Sequence, residues 1–134
     1  MAAKGREKHQ ARLQALSSLG TPLSRRASSR CELCSGGGIP LRPHEVAPET
    51  NSPEFERCIL ICSRCRDGVE GKSIAPQEWR FLEDVAWTEI APLQVAAVRI
   101  LRSFSRSEPW AASLLDTLYL SPDVEEWLGG TTTQ

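Results

Sequence analysis

Two Cys-x-x-Cys units constrain this chain more than any other feature of its sequence. Cys31 and Cys34 form the first unit, Cys62 and Cys65 form the second, and 27 residues lie between the two units. Each unit can present two sulfurs from one tight turn, and zinc prefers four ligands arranged in a tetrahedron. Two such units in one short chain are a strong signal for zinc, whereas one alone would be weak. We therefore predict one structural Zn²⁺ bound by Cys31, Cys34, Cys62 and Cys65.

The same cysteines admit other interpretations. They could form a redox dithiol pair or serve as unrelated structural thiols, although the spacing favours a zinc site over both. A redox switch is a further hypothesis, because thiolates that bind a metal can release it when they are oxidised. Nothing in the sequence favours this switch over structural zinc.

Cys58 is a fifth cysteine, and it opens the apolar run Cys58-Ile-Leu-Ile-Cys62. Such β-branched, apolar runs are typical of buried strands. Four residues of an extended strand span about 13 Å, so Cys58 and Cys62 cannot share an ion whose sulfur bonds are about 2.3 Å long. We predict that Cys58 is a small buried hydrophobic residue.

The length and composition indicate one ordinary globular domain. A chain of 134 residues can bury a core without disulfides. No apolar run approaches the roughly 18 residues needed to span a bilayer, and the amino terminus lacks the apolar segment of a signal peptide. We therefore expect a soluble protein with no membrane contact, located in a reducing cytoplasm where its thiols stay available to metal.

A net charge of −1 conceals an uneven distribution. Residues 1–30 carry seven Lys/Arg against one Glu, which leaves nine Lys/Arg against sixteen Asp/Glu for the rest. A basic arm of this kind can contact nucleic acid or an acidic protein, or it can fold back on the acidic body or stay solvated. The cations proposed for partner binding are Arg6, Lys8, Arg12, Arg25, Arg26 and Arg30.

The first half of the chain predicts a small zinc head preceded by two helices. Helical patterns cover residues 5–18 and about 22–28. A strand over about 39–46 is interrupted by two prolines, which is typical of an edge strand, and a loop follows it. The second strand covers 58–61, and a short helix is predicted after Cys65, ending near Gly68 or Gly71.

The second half predicts helices. Pro76 is suited to a first helical turn, a longer helix covers about 91–105, a third begins near Pro109, and a last short one is ended by Gly129-Gly130. All four tryptophans lie in this half, which favours a role in the core rather than in base stacking. The predicted interior is Trp79, Leu82, Val95, Val98, Leu101, Trp110, Leu114, Leu118 and Trp127.

Together these patterns predict an α+β protein. A treble-clef or zinc-ribbon-like head, made of a β-hairpin with a four-cysteine zinc site, is followed by a mainly helical segment. The predicted boundaries are 1–21 for the basic arm, 22–72 for the zinc head, 73–129 for the helical segment packed on the head, and 130–134 for a tail.

Several runs resemble the amino-terminal part of the PhnA-type proteins, which are named for an alkylphosphonate-uptake operon of bacteria. The likeness covers about residues 22–128, and the combination of these runs is more specific than either cysteine unit. They are Arg30-Cys-Glu-Leu-Cys34, Cys58-Ile-Leu-Ile-Cys-Ser-Arg-Cys65, Glu78-Trp-Arg-Phe-Leu82, Ala86-Trp-Thr-Glu89, Leu93-Gln-Val95 and Leu114-Leu-Asp-Thr-Leu-Tyr-Leu120.

The resemblance implies a zinc head joined to a helical segment, without an assigned chemistry. Longer members of the family continue into a small carboxy-terminal β-barrel, whereas this sequence stops at Gln134. The family label has also been confused with phosphonoacetate hydrolase, whose two-zinc site is built from Asp and His. Two histidines, His9 and His44, cannot furnish such a site, so we do not expect that activity.

We therefore expect a non-catalytic zinc-binding protein that contacts a macromolecule and has no small-molecule substrate. Four thiolates complete the coordination of tetrahedral zinc and leave no position for a reactive water. The alternative is a treble-clef nuclease of the His-Asn-His kind, whose base lies near a proline between the cysteine units. Here that run is Pro43-His-Glu-Val-Ala-Pro48, which puts Glu45 where the base would be and leaves His44 as a possible ligand of a second metal.

Overall fold

A computed structural model describes residues 2–72 and 74–131 of the chain, and side chains from 5 to 129 apart from residue 73. The described residues form an α+β structure with a two-stranded sheet. The helices are α1 (Ala2–Ser18), α2 (Gly20–Ala27), α3 (Ser63–Val69), α4 (Leu82–Val85), α5 (Ala91–Phe104), α6 (Pro109–Thr117) and α7 (Pro122–Thr131). The strands are β1 (Arg42–Glu45) and β2 (Cys58–Ile61), and 3₁₀ turns cover Phe55–Arg57 and Pro76–Trp79.

β1 and β2 form an antiparallel hairpin in which Pro43 lies opposite Leu60. Leu60 turns both of its backbone polar groups away from β1, because its N–H reaches the Glu32 carboxylate and its C=O accepts the Glu32 N–H. The ladder therefore requires no N–H from residue 43, and a proline is tolerated there. β1 is shorter than the predicted 39–46 strand, and it excludes Pro40.

β2 is buried on both faces, which explains why four consecutive apolar residues form it. Ile59 and Ile61 belong to the main core, whereas Cys58 and Leu60 pack with Leu23 of α2 in a second, smaller core. Successive side chains of a strand point to opposite faces. The two amino-terminal helices therefore cover one side of the hairpin while the helical half covers the other.

α5 is the centre of the main core. Every residue from Pro92 to Val98 is buried, and α3, α4, α6, α7 and β2 all contact this helix. Gln94 is a buried polar residue within it, and its side-chain amide donates to the Ala86 carbonyl at 2.8 Å. This hydrogen bond satisfies the buried amide and ties α5 to the end of α4.

Three further elements differ from the sequence prediction. α3 begins at Ser63, so it contains Cys65 rather than following it. The helix predicted from Pro76 is a 3₁₀ turn followed by the single turn α4, and the three-residue spacing of Trp79, Leu82 and Val85 matches the 3₁₀ period. α7 continues past Gly129-Gly130 to Thr131, while the predicted tail residues 132–134 lie outside the described residues.

The predicted interior is correct for five residues, and the other four are only partly buried. Five of its members are buried, namely Trp79, Leu82, Val95, Val98 and Leu101. The other four are half-buried against that core, namely Trp110, Leu114, Leu118 and Trp127. α6 and α7 form an outer layer over α5, so their far sides reach solvent. Trp87 is 52% exposed, which contradicts its placement in the core.

Candidate metal centre

The first cysteine unit is held by a tight loop that closes on itself. The Cys31 N–H donates to the Gly36 carbonyl at 2.9 Å, and the Ser35 N–H donates to the Cys31 carbonyl at 2.9 Å. Ser35 has a φ of +66°, a left-handed conformation that costs a residue with a β-carbon some energy. The loop therefore directs both sulfurs of the unit to one side.

The second unit joins β2 to α3. Cys62 is the residue before α3, with extended backbone, and Cys65 lies in the first turn of the helix. The Cys62 N–H donates to Sγ of Cys31 at 3.4 Å, so the backbone of one unit contacts a sulfur of the other. An N–H group directed at a sulfur favours its thiolate form.

The four predicted ligands come together. Their sulfurs all lie within 4.8 Å of one another, and Sγ of Cys34 is 3.9 Å from Sγ of Cys62. Zinc–sulfur bonds of about 2.3 Å in a tetrahedron place sulfurs about 3.8 Å apart, so a small contraction of this cluster would fit the ion. Three of the cysteines are buried and Cys34 is half-buried, which leaves one side of the cluster open to solvent.

The pKa values of Cys31, Cys34 and Cys65 are shifted because the four sulfurs lie close together and are at least partly buried. The pKa of Cys31 is lowered, chiefly by a hydrogen bond with Cys65 and then by backbone N–H groups. The pKa of Cys65 is raised by the same hydrogen bond, by burial and by repulsion from the other three sulfurs. Burial also raises the pKa of Cys34. Four thiolates at this spacing need a cation, which is the chemistry of a divalent metal site.

Cys58 lies apart from the cluster, as the strand geometry predicts. It is fully buried in the second core beside Leu23 and Leu60. Burial is the main reason that its pKa is raised to about 11, so its thiol stays protonated. Cys58 is therefore a small buried hydrophobic residue.

The basic arm folds back on the body at two of its six predicted cations. Arg12 is 2.6 Å from the buried carboxylate of Glu45, and Arg26 is 2.8 Å from that of Glu32. Sequence periodicity could not show the Arg12–Glu45 pair, because its two residues are 33 positions apart. Arg30 is exposed and donates to the Ser35 carbonyl at 3.2 Å. The remaining three, Arg6, Lys8 and Arg25, are exposed.

The carboxylate of Glu45, at the position expected for a nuclease base, is already occupied by hydrogen bonds. Burial alone would raise its pKa, but hydrogen bonds from the side chain and backbone of Thr50 and from Arg12 outweigh burial and lower it. Both carboxylate oxygens are engaged by these groups at 2.6–3.0 Å. Glu45 is therefore a structural anchor for α1 and for the loop after β1.

His44 lines a cleft of about 620 Å³ between α1, the hairpin and α3. Burial lowers the pKa of His44. The charge of Glu70, the residue after α3, raises this pKa, and the charge of Arg66 in α3 lowers it. Its imidazole makes no hydrogen bond with any described residue. Among the described residues, the four cysteines are the one group of His, Cys, Asp or Glu close enough to hold a metal, so His44 does not belong to a preformed second site.

Comparison with known proteins does not identify this chain. Searches against protein-family models, curated proteins and solved structures give no match. The resemblance to the PhnA type therefore stays a prediction. In residues 2–72 and 74–131, no helix is both long and apolar enough to cross a membrane.

Proposed function

We propose that this protein is a zinc-binding protein of the PhnA type with one structural Zn²⁺ held by Cys31, Cys34, Cys62 and Cys65. One observation carries the proposal: four sulfurs from two distant units lie within 4.8 Å of one another. Zinc is the divalent metal that four thiolates in a tetrahedron most often bind in proteins. When bound, it would stabilise the head by cross-linking its two halves.

The head that we propose is a treble-clef arrangement. A cysteine loop, a hairpin, a second cysteine unit at the end of β2 and a helix that begins within that unit follow one another in this order. This succession supports a treble clef more than a zinc ribbon, because Cys65 lies on a helix.

The proposed role is binding rather than catalysis. Four protein ligands complete tetrahedral zinc, so a structural site of this kind holds no activated water. The proposed partner is nucleic acid, contacted by the exposed cations of α1 and α2 and of the turn after them. These are Arg6, Lys8, Arg25 and Arg30. Residues 5–11 of α1 are exposed on all sides and offer no apolar stripe, which favours an anionic partner over an apolar groove.

Metal analysis combined with a binding titration tests the proposal. The purified protein should contain one zinc per chain and should bind duplex or single-stranded nucleic acid with an affinity that falls as salt rises. A metal-free protein that folds identically would contradict structural zinc. If the zinc-loaded protein binds an acidic protein but no nucleic acid, the partner is an acidic protein instead.

The nuclease alternative has one observation in its favour, which is the position of His44 in a cleft beside Glu70. A mostly buried imidazole with a lowered pKa is neutral at pH 7 and could accept a proton or a metal. A cleavage assay with Mg²⁺ or Mn²⁺ on the same preparation decides between the two. Cleavage that His44→Ala abolishes and that Glu70→Gln weakens would overturn the non-catalytic proposal.

A further inference from the structure

The first cysteine unit is bound to α2 through Glu32, which lies between Cys31 and Cys34. The Glu32 carboxylate is only 3% exposed, and it accepts two hydrogen bonds from the Arg26 guanidinium at 2.8 and 2.9 Å. This is a bidentate pair, the strongest geometry for an arginine and a carboxylate. α2 is therefore fastened directly to the cysteine loop.

Glu32 also fastens the same loop to β2. Its N–H donates to the Leu60 carbonyl at 2.8 Å, and its carboxylate accepts the Leu60 N–H at 2.9 Å. Leu60 is two residues before Cys62, so this contact sets the distance between the first cysteine unit and the second. It also satisfies the edge of β2 that β1 does not cover.

Arg26 completes the arrangement from the other side. Its guanidinium donates to the Cys58 carbonyl at 2.8 Å and lies over the Phe55 ring, 4.7 Å from the ring centroid. Arg26 therefore contacts three parts of the head, namely Glu32, the first residue of β2 and the 3₁₀ turn that contains Phe55. Its charge also balances a buried carboxylate beside a cluster that carries negative charge when it binds a divalent metal.

We infer that Arg26 and Glu32 are positioning residues for the four-cysteine site, and that they couple metal binding to the docking of α2. This inference rests on the proposed zinc site. Residues that hold the ligands of a metal in place typically alter its affinity 10–100-fold when mutated. Coupling between two sites is reciprocal. Metal binding should therefore stabilise the docked position of α2 by the same free energy by which docking of α2 strengthens metal binding.

The test is a titration of the apoprotein with Co²⁺ and Zn²⁺. Co²⁺ reports tetrahedral thiolate coordination through its visible and near-ultraviolet absorption, and a competing chelator gives the Zn²⁺ affinity. Arg26→Ala should bind both metals about 10–100-fold more weakly than the wild type. Arg25→Ala is the matched control, because Arg25 is in the same helix but its side chain makes no ion pair or hydrogen bond with a described residue. It should bind like the wild type.

Two further variants separate a positioning role from general loss of structure. Arg26→Lys keeps the charge but loses the two-pronged contact, so its affinity should lie between those of the wild type and Arg26→Ala. In a Glu32→Gln background, Arg26→Ala should change the affinity several-fold less than it does alone, because Arg26 acts through Glu32. Hydrogen exchange in residues 20–27 should slow on metal addition in the wild type and slow less in Arg26→Ala.

The outcomes are distinguishable. A wild-type protein that binds neither metal would overturn the proposed zinc site and this inference with it. Tight wild-type binding that Arg26→Ala leaves unchanged would overturn the inference alone, as would equal losses in Arg25→Ala and Arg26→Ala.

Discussion

The indole ring of Trp79 packs directly against the α-carbon of Gly68. A β-carbon at position 68 would lie 2.7 Å from Cζ2 of Trp79 and closer still to Cη2. Trp79 is buried and cannot swing away, so the glycine allows α3 to approach the helical half of the chain. Because α3 carries Cys65, this contact also fixes one of the four sulfurs relative to the core.

We expect Gly68→Ala to destabilise the protein by about 2 kcal/mol or more, since overpacking a buried contact forces backbone and side chains to move. Denaturant unfolding of the metal-loaded protein measures this change. Gly20→Ala is the control, because nothing lies within 4 Å of a β-carbon built at the start of α2. That variant should be neutral or slightly stabilising, and equal destabilisation of both variants would contradict the packing argument.

The local parts of this structure could be predicted from the sequence. The cysteine spacing predicts the cluster, and the apolar run from Cys58 predicts β2 and the burial of Cys58. Both signals are carried by neighbouring residues, because a strand has a fixed period and a Cys-x-x-Cys unit is a single turn. The sequence predicts α5 for the same reason, since its apolar face repeats along one long helix.

The packing of the amino-terminal helices could not be predicted in this way. The charges of Arg12 and Arg26 resemble those of Arg6 and Lys8 in the sequence, yet only the first two meet buried carboxylates. Glu45 is 33 residues from Arg12, and neither periodicity nor composition reports such a pair. Trp87 illustrates the converse, because its apolar ring suggests burial although about half of its surface is exposed.

The Arg12–Glu45 pair should make stability depend on pH. Hydrogen bonds from Thr50 and Arg12 lower the folded-state pKa of Glu45 below its ordinary value of 4.5, against the opposing effect of burial. A lowered pKa contributes stability above about pH 4.5, and this stability is lost as the pH falls through the folded-state value. Glu45→Gln should therefore be less stable than the wild type by about 1.5–3 kcal/mol at pH 7, and the difference should shrink toward pH 3.

Glu49→Gln is the matched control for this experiment. Glu49 is 71% exposed and 3.6 Å from Arg12, so its loss should change stability by no more than about 0.5 kcal/mol at any pH. Urea unfolding at a series of pH values measures all three proteins, and each variant is compared with the wild type at the same metal content. A Glu45→Gln curve that runs parallel to the wild type from pH 7 to pH 3 would contradict the lowered pKa.

The five cysteines should fall into two classes when each is changed to serine. Cys31, Cys34, Cys62 and Cys65 contribute the clustered sulfurs, so each substitution should weaken zinc binding or abolish it. Cys58→Ser should keep one zinc per chain, because its sulfur lies in the second core with Leu23 and Leu60. It should still lose about 1–3 kcal/mol of stability, since serine puts a hydroxyl in an apolar site. Metal content per chain measures the first effect, and loss of zinc from Cys58→Ser would contradict the ligand set.

If nucleic acid is the partner, the salt dependence of binding should reflect four cations rather than six. Arg12 and Arg26 are paired with buried carboxylates, which leaves Arg6, Lys8, Arg25 and Arg30 exposed. A slope of about −0.9 per neutralised phosphate on duplex DNA then gives a log–log slope of about −3 to −4, whereas six contacts would give more than −5 in magnitude. Fluorescence anisotropy over a range of salt concentrations measures this slope.

Paired variants locate the contacts on the arm. Replacing Arg6 and Lys8 together by alanine should reduce the magnitude of the slope by about 1.8 while leaving the zinc content at one per chain, because α1 does not touch the cysteine loop through these residues. Arg12→Gln should lower stability through its lost contact with Glu45 but should leave the slope unchanged in protein that is still folded. A slope that responds to Arg12→Gln and not to the double variant would mean that the arm undocks from the hairpin when it binds.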